Sequence, residues 1–460
     1  MNCTFKICRS ALFSTLVIAF FGLTAAAAEP ALTYRQFRVT DRDQQPPRRG
    51  LKLEGIEPIA ADPLPLWARD IAQEPHDWSD GPPTDEPYFL PPIVFVLSPP
   101  EGSDEPFYPH NHQPDIAWLP NGDLIAIWYS TRREQGTELT VLASRLRAGS
   151  DAWDPSSEFF RAPDRNMHGN SIFHDGRGTL HHMNGMAQEG ATGFNALALL
   201  HRSSRDYGVT WSVARPVSSG ANYRLRHQVI SGMKELSDGT LIQPCDGGFG
   251  NTGVTALHIS DDGGETWTDP GGDILGIHAG VEELKDGRWL AFGRGRAIDG
   301  RMPISLSEDR GKTWSYQASD FPPIGSGQRL VLIRLNEGPL LLVSFTGDRR
   351  LSQLGRDTAA IEFVDRQGNT FRGIGMFAAL SFDDGQTWPV RKLLTPGEGK
   401  YNGGAHTGGF TASATQAEHA GYLAATQTPD GVIHLISSRL HYRFNLAWLR
   451  QPNDGPAAGR

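Results

Sequence analysis

Cysteine is almost absent from this sequence. Of three cysteines in 460 residues, Cys3 and Cys8 fall in an opening stretch that reads as a leader, and only Cys245 follows. No intramolecular disulfide can form after that stretch, so a large apolar core must hold the fold together. Positive charge is also in deficit. The net charge is −9, which argues against nucleic acid as a partner, because phosphate binding needs a cationic surface. No second long apolar run follows the opening residues, so no membrane contact is expected once the leader is gone. What is plentiful is Gly (52), Pro (32) and Trp (11). That is an all-β composition of short strands and tight turns.

Residues 1–28 have the layout of a secretory signal peptide. Lys6 and Arg9 supply the positive end, Ala11 to Ala25 the apolar segment, and Ala26-Ala27-Ala28 a small-residue cleavage site before Glu29. The chain is therefore expected to be exported, to a periplasm or the exterior. Residues 29–90, rich in Pro, Arg and Asp, are expected to form an extended arm. Residues 91–450 are expected to be the main domain, and 451–460 a tail.

Two repeats organise the main domain. The first is Ser-x-Asp-x-Gly-x-Thr-Trp, at Ser204–Trp211, Ser260–Trp267, Ser307–Trp314 and Ser381–Trp388. It suits a hairpin tip: Asp accepts from the turn's own amides, Gly takes a positive φ, and Trp packs against a neighbouring strand. The second is a strand–turn–strand with Asn-Gly, Asp-Gly or a similar pair at its tip. Its six copies are centred on Asn121-Gly122, Asp175-Gly176, Asp238-Gly239, Asp286-Gly287, Glu337-Gly338 and Asp430-Gly431. The first motif falls between copies of the second. Each unit is then two hairpins, four strands, one blade of a six-bladed β-propeller. Blades are expected to start near residues 112, 170, 227, 278, 328 and 422, with an insertion at 347–373 in the fifth. Ile93–Leu97 is expected to pair with the last blade and close the ring.

Meander topology then sorts residues by face. The first and third connections of every blade share one face, so the repeated turns are structural. Blade entries and second connections share the other. Entries bring His110, His112, His168, Asn170, Tyr223, Arg224, Arg226, His227, His278 and Tyr422. Second connections bring Arg132, Arg133, Glu134, Glu138, Asp246, Arg294, Arg296, Arg372, Arg439 and His441. An acidic protein thus gathers Arg and His around one mouth, and guanidinium forks suit carboxylate or sulfate. An acidic oligosaccharide or polysaccharide is the expected partner. His110 and His112 could place both rings on one side of a strand, but no third ligand is evident. No metal or other cofactor is expected.

The repeated Ser-x-Asp-x-Gly-x-Thr-Trp turns, over roughly residues 105–450, resemble the Asp boxes (BNR repeats) of the sialidase, or neuraminidase, superfamily. The resemblance implies the six-bladed fold and, for an active member, a clamp of three Arg residues on the substrate carboxylate. It also implies a Tyr nucleophile helped by a Glu, and an Asp acid/base in the first blade. Tyr422, eight residues before Asp430, matches the nucleophile; Arg294 matches the second Arg and Arg372 the third to within one residue. The first Arg fails, because the family's Arg-Ile-Pro is His112-Gln113-Pro114 here. His278 stands where the helper Glu belongs, and Glu134 or Glu138 lies on the loop of the acid.

Three functions remain open on these residues. In the first, an exo-acting glycoside hydrolase uses Tyr422, with Glu134 as acid, His112 or His278 as base, and Arg294 and Arg372 holding the acidic group. Arg132, His168, Asn170, Arg226 and His227 would line its substrate site. In the second, a lyase or hydrolase of uronate-containing polysaccharide uses His112, His168, Tyr223, Arg224, Arg226 and His227. In the third, the propeller binds glycans without cleaving them.

Overall fold

A computed structural model of the chain describes residues 59–60, 64–187, 190, 197–217, 226–247, 253–347, 349 and 361–456. The expected leader, most of the first half of the arm, Tyr223 and Arg224 lie outside these residues.

Six antiparallel sheets follow one another along the chain, each a four-stranded meander. The strands nearest the axis are His110–Trp118, Asn170–His174, Gln228–Val229 with Lys234–Glu235, Ile277–Glu283, Val331–Arg334 and Ala424–Gln427. The third is broken in two, both pieces pairing with Leu241–Gly247. This is the six-bladed propeller that the repeats call for, with blade starts where the sequence puts them.

Ring closure differs in detail. The closing strand is Phe89–Val94, paired antiparallel with Leu440–Phe444, the third strand of blade 6, so that Ile93 faces His441. It begins four residues earlier than the apolar run Ile93–Leu97. The pairing is interrupted between Leu90 and Ile93, where Pro91 and Pro92 have no N–H to give. The apolar run covers only the last two residues of this strand and continues past it into buried Phe95 and Val96.

The four Asp boxes are built alike. In the first, Ser204 Oγ donates to Asp206 Oδ1 (2.7 Å), as does the Thr210 N–H (2.9 Å), and Thr210 Oγ1 donates to Asp206 Oδ2 (2.5 Å). The same bonds recur at Asp262, Asp309 and Asp383. Each tip holds two successive residues at positive φ, Tyr207 and Gly208 in the first box. Its Trp then wedges against the preceding blade: Trp211 meets Phe159 edge-on at 5.3 Å, and Trp388 meets Phe292 at 5.8 Å. The boxes therefore join blades as well as close hairpins, each buried indole contributing roughly 2 kcal/mol or more.

Segments outside the repeats wrap the ring. The backbone of Ile59–Ala60 pairs with Thr210–Trp211. Trp67 is buried against blade 1, its indole N–H donating to the Glu158 carbonyl (3.0 Å). At the other terminus, Asn453 Nδ2 donates to the Val364 and Arg391 carbonyls of blade 5. In blade 5 the insertion carries a hairpin, Glu362–Val364 against Thr370–Arg372. A cavity of about 940 Å³ runs along the axis, from the turn tips at Asp286, Gly287 and Asn336 up to Asp115, His278 and Arg329.

Candidate active site

Tyr422 stands at the blade-6 entry, where Gly421–Tyr422 pairs in parallel with Gln328–Arg329 of blade 5. Its phenol oxygen is 2.9 Å from His278 Nε2 and accepts a hydrogen bond from Arg294 Nη1, also 2.9 Å. Behind His278 lies Asp246. One carboxylate oxygen is 2.6 Å from His278 Nδ1, and the other accepts from the His278 backbone N–H and from Thr255 Oγ1. A carboxylate has no proton to give, so Nδ1 carries the ring proton and Nε2 presents its lone pair to the phenol. Tyr422 thus donates to a base and accepts from a cation at the same atom.

The backbone is bent to achieve this. His278 has φ 53°, a left-handed conformation unusual for a residue with a side chain, and the pairing of its strand slips between Ile277 and Gly280. The blade-1 entry repeats the device: Gln113 has φ 54°, with a slip between His112 and Asp115. Such bulges turn a side chain out of its regular alternation toward the mouth. A Cβ at Gly293 would collide with the Leu275 carbonyl, so Gly there lets blades 3 and 4 close up beside Arg294.

Burial and the Arg294 charge press the His278 imidazole down to about 4 against the pull of Asp246. It is therefore neutral, and a base, near pH 7. Burial raises the Tyr422 phenol above its usual value, opposed by Arg294. The Arg329 guanidinium lies 5.2 Å from the centre of the Tyr422 ring and that of Arg294 5.5 Å. Arg329 is buried, its Nε bonded to the Leu423 carbonyl and Nη2 to that of Pro114. Arg294 Nε and Arg329 Nη1 are shut from solvent and make no hydrogen bond.

A second group adjoins the first. The His112 ring lies 3.9 Å from the Tyr422 ring, centre to centre, and its Nδ1 is 3.2 Å from Ser438 Oγ. His406 (φ 65°), in the blade 5–6 connection, approaches His112 at 4.3 Å. Glu134 accepts from the Tyr129 hydroxyl (3.1 Å), with His110 Nε2 and His406 Nε2 at 3.4 and 3.5 Å from the same oxygen. Burial pushes the Glu134 carboxyl up, but the flanking His110 and His406 more than reverse this and hold it well below the usual carboxylate range. Burial, with His406 beside it, drives His112 well down.

The remaining expected site residues divide. His168 adjoins the mouth, its ring 5.2 Å from Tyr129, and burial lowers it to about 4. Asn170 is buried and accepts from Asn184 Nδ2 (2.8 Å), and buried His227 packs on His258 at 5.1 Å. Arg226 is tied to Asp269 and Asp273, a clamp between loops of blade 3. Glu138 staples its own loop through Thr131 Oγ1 and the Arg132 N–H. Exposed Arg132 lies over the Tyr108 ring at 5.5 Å. Arg372 is exposed on the insertion hairpin, opposite Glu362. The second guanidinium at the tyrosine is Arg329, from the blade-5 entry. It occupies in blade 5 the register of His278 in blade 4, so the topological sorting contains the signal. His406 lies outside every repeat, and nothing in the spacing points to it.

The BNR repeat-like domain family matches residues 122–435, more than half of the chain. The chain belongs to that family. It is 26% identical over 385 residues to a sialidase from Micromonospora viridifaciens, a match covering 74% of this chain and 52% of the relative. The chain thus spans about half the length of that curated relative. Among solved structures, a protein of unknown function from Dyadobacter fermentans superimposes with TM-score 0.53 at 14% identity, over 78% of this chain and 99% of the other. The intramolecular trans-sialidase of Ruminococcus gnavus does so with TM-score 0.51 at 14% identity, over 75% and 96%. At such identities these structures bear on the fold alone. This BNR-repeat propeller is a divergent sialidase-like protein.

Proposed function

We propose that this BNR-repeat propeller is an exported glycoside hydrolase that removes terminal acidic sugars, with Tyr422 as nucleophile and His278 as its base. The observation that carries the reading is the Tyr422 phenol held between His278 Nε2 and Arg294 Nη1, with Asp246 behind the imidazole. His278 takes the phenol proton as the oxygen attacks the anomeric carbon, while Asp246 stabilises the imidazolium. The glycosidic C–O bond breaks, and the leaving oxygen gains a proton. Glu134, held ionised, does not store that proton, so it comes from water held at the His110–Glu134–His406 group. The hydroxide left at that group then attacks the anomeric carbon and breaks the glycosyl–tyrosine bond, and the departing phenolate regains its proton from His278.

The acidic substrate is supported by Arg294 Nε and Arg329 Nη1, two buried guanidinium donors left without partners beside the tyrosine. An unpaired buried donor is costly, and a carboxylate would satisfy both. Of the residues assigned to a lyase, Arg226 is tied to two aspartates.

The test is a screen of purified protein against sialosides and uronate-containing oligosaccharides, read by mass spectrometry. A released acidic sugar carrying one added water, absent with Tyr422→Phe, is the expected result. An unsaturated product pair that conserves mass would replace the hydrolase by a lyase. No cleavage, with crystals that take up the glycan, would leave a binding propeller.

A further inference from the structure

We propose that His110, Glu134 and His406 form a binding site for a divalent metal of the zinc type at the mouth of the propeller. Their donor atoms, His110 Nε2, His406 Nε2 and a Glu134 carboxylate oxygen, lie within 4.8 Å of one another. The spacing separates an ion site from a simple hydrogen-bonded triad. A charge-assisted N–H···O bond to a carboxylate closes to about 2.7–2.9 Å. Here the two nitrogens stop at 3.4 and 3.5 Å from the shared oxygen, well beyond that length. Zinc–ligand bonds of about 2.1 Å put tetrahedral ligands about 3.4 Å apart, whereas octahedral neighbours at that bond length stand about 3.0 Å apart. The two nitrogen–oxygen edges, 3.4 and 3.5 Å, match the tetrahedral value.

The surroundings agree. His110 Nε2 is closed off from solvent without a hydrogen bond. The ring of buried His112 lies 4.3 Å from His406 and 5.5 Å from His110, with a free Nε2 of its own. Tyr129 donates to Glu134, the outer bond that orients a metal-binding carboxylate. Two His and one carboxylate leave the fourth position for water or a substrate oxygen, the arrangement of a catalytic and not a structural zinc site. Arg349 Nη1 is 3.2 Å from His406 Nδ1 and 3.1 Å from the His406 carbonyl. Metal on Nε2 puts the ring proton on Nδ1, so loading costs the first contact and keeps the second.

The proposal does not rest on Tyr422 chemistry, because metal binding is read without substrate. The full chain, made without a polyhistidine tag and stripped with a chelator, is titrated with Zn2+ and with Co2+. The expected result is one ion per chain, with the intense visible bands of tetrahedral Co2+. Glu134→Gln and His406→Ala should each weaken binding by at least ~100-fold, while Tyr422→Phe binds as wild type does. Should either substitution prevent folding, the wild-type Co2+ spectrum decides. Weak octahedral bands, substoichiometric metal, or an equivalent that survives both substitutions would overturn the site.

Discussion

The two faces of this propeller handle their polar groups in opposite ways. On the turn face, each Asp box meets its own needs: the aspartate accepts hydrogen bonds from the Ser and Thr hydroxyls and the Thr amide, within eight residues of chain. On the mouth face, the partners come from different blades and several atoms go without. Tyr422 of blade 6 meets His278 and Arg294 of blade 4, while Arg294 Nε, Arg329 Nη1 and His112 Nε2 remain unbonded. Closed local networks fix a scaffold. Open ones, assembled over long sequence separations at positive φ and bulges, await a ligand. The contrast can be broken by substitution on either face.

The largest effect is expected at Tyr422. Tyr422→Phe keeps the ring that packs against His112 but loses the atom that His278 and Arg294 share, so turnover should fall by at least ~10³-fold. Thermal unfolding should change little. Retained turnover would move the chemistry away from the phenol.

Asp246→Asn comes next. The amide can turn its NH2 toward His278 Nδ1, which favours the tautomer with the proton on Nε2 and removes the base from Tyr422. A loss of about 10²–10⁴-fold in kcat is expected, with KM little changed. A rise in KM at constant kcat would instead make Asp246 part of the substrate pocket.

These two sites also mark how far the sequence could be read. The Asp boxes and Asn-Gly tips were legible because each is a local hairpin whose bonds close within a few residues, so spacing alone reveals it. Tyr422 and Arg294 were legible through the register of those repeats. Arg329 shares that register but carries no local signal, and Arg372 drew attention by lying near a blade-5 strand while standing on an insertion hairpin. His406 was invisible, because only the three-dimensional return of the blade 5–6 connection brings it to Glu134. The closing strand was half legible: the apolar run marks Ile93 and Val94, while the Pro pair conceals the strand that precedes them.

Acid should separate the faces as well. Burial holds His174 and His278 near 4 and His434 near 3, so all three are neutral in the folded chain at pH 6.5. Unfolded, they take up protons below about 6.5. Their contribution is thus fully present above pH 6.5 and declines as pH falls toward 4, because the unfolded state then binds more protons. The denaturation midpoint should fall steadily over that window. A flat profile would mean that these imidazoles are hydrated. On the turn face, Asp206→Ala removes three hydrogen bonds and should cost about 2–4 kcal/mol of stability at unchanged kcat.

The smallest effect is expected at Arg372, and it is informative because the superfamily resemblance pointed there. The side chain is exposed on a hairpin whose partner residue is Glu362. The guanidinium that accompanies Arg294 at the tyrosine belongs to Arg329, in the short strand Gln328–Arg329 that pairs with Gly421–Tyr422. Arg372→Ala should therefore leave KM for an acidic substrate within about twofold, since an exposed charge contributes at most ~1 kcal/mol. Arg329→Lys should raise KM by tenfold or more, because lysine cannot reproduce the fork that holds the Leu423 and Pro114 carbonyls while leaving Nη1 free. If the two results were exchanged, the insertion hairpin would have to fold over the mouth when substrate binds, and the open network around Tyr422 would be completed by this chain itself.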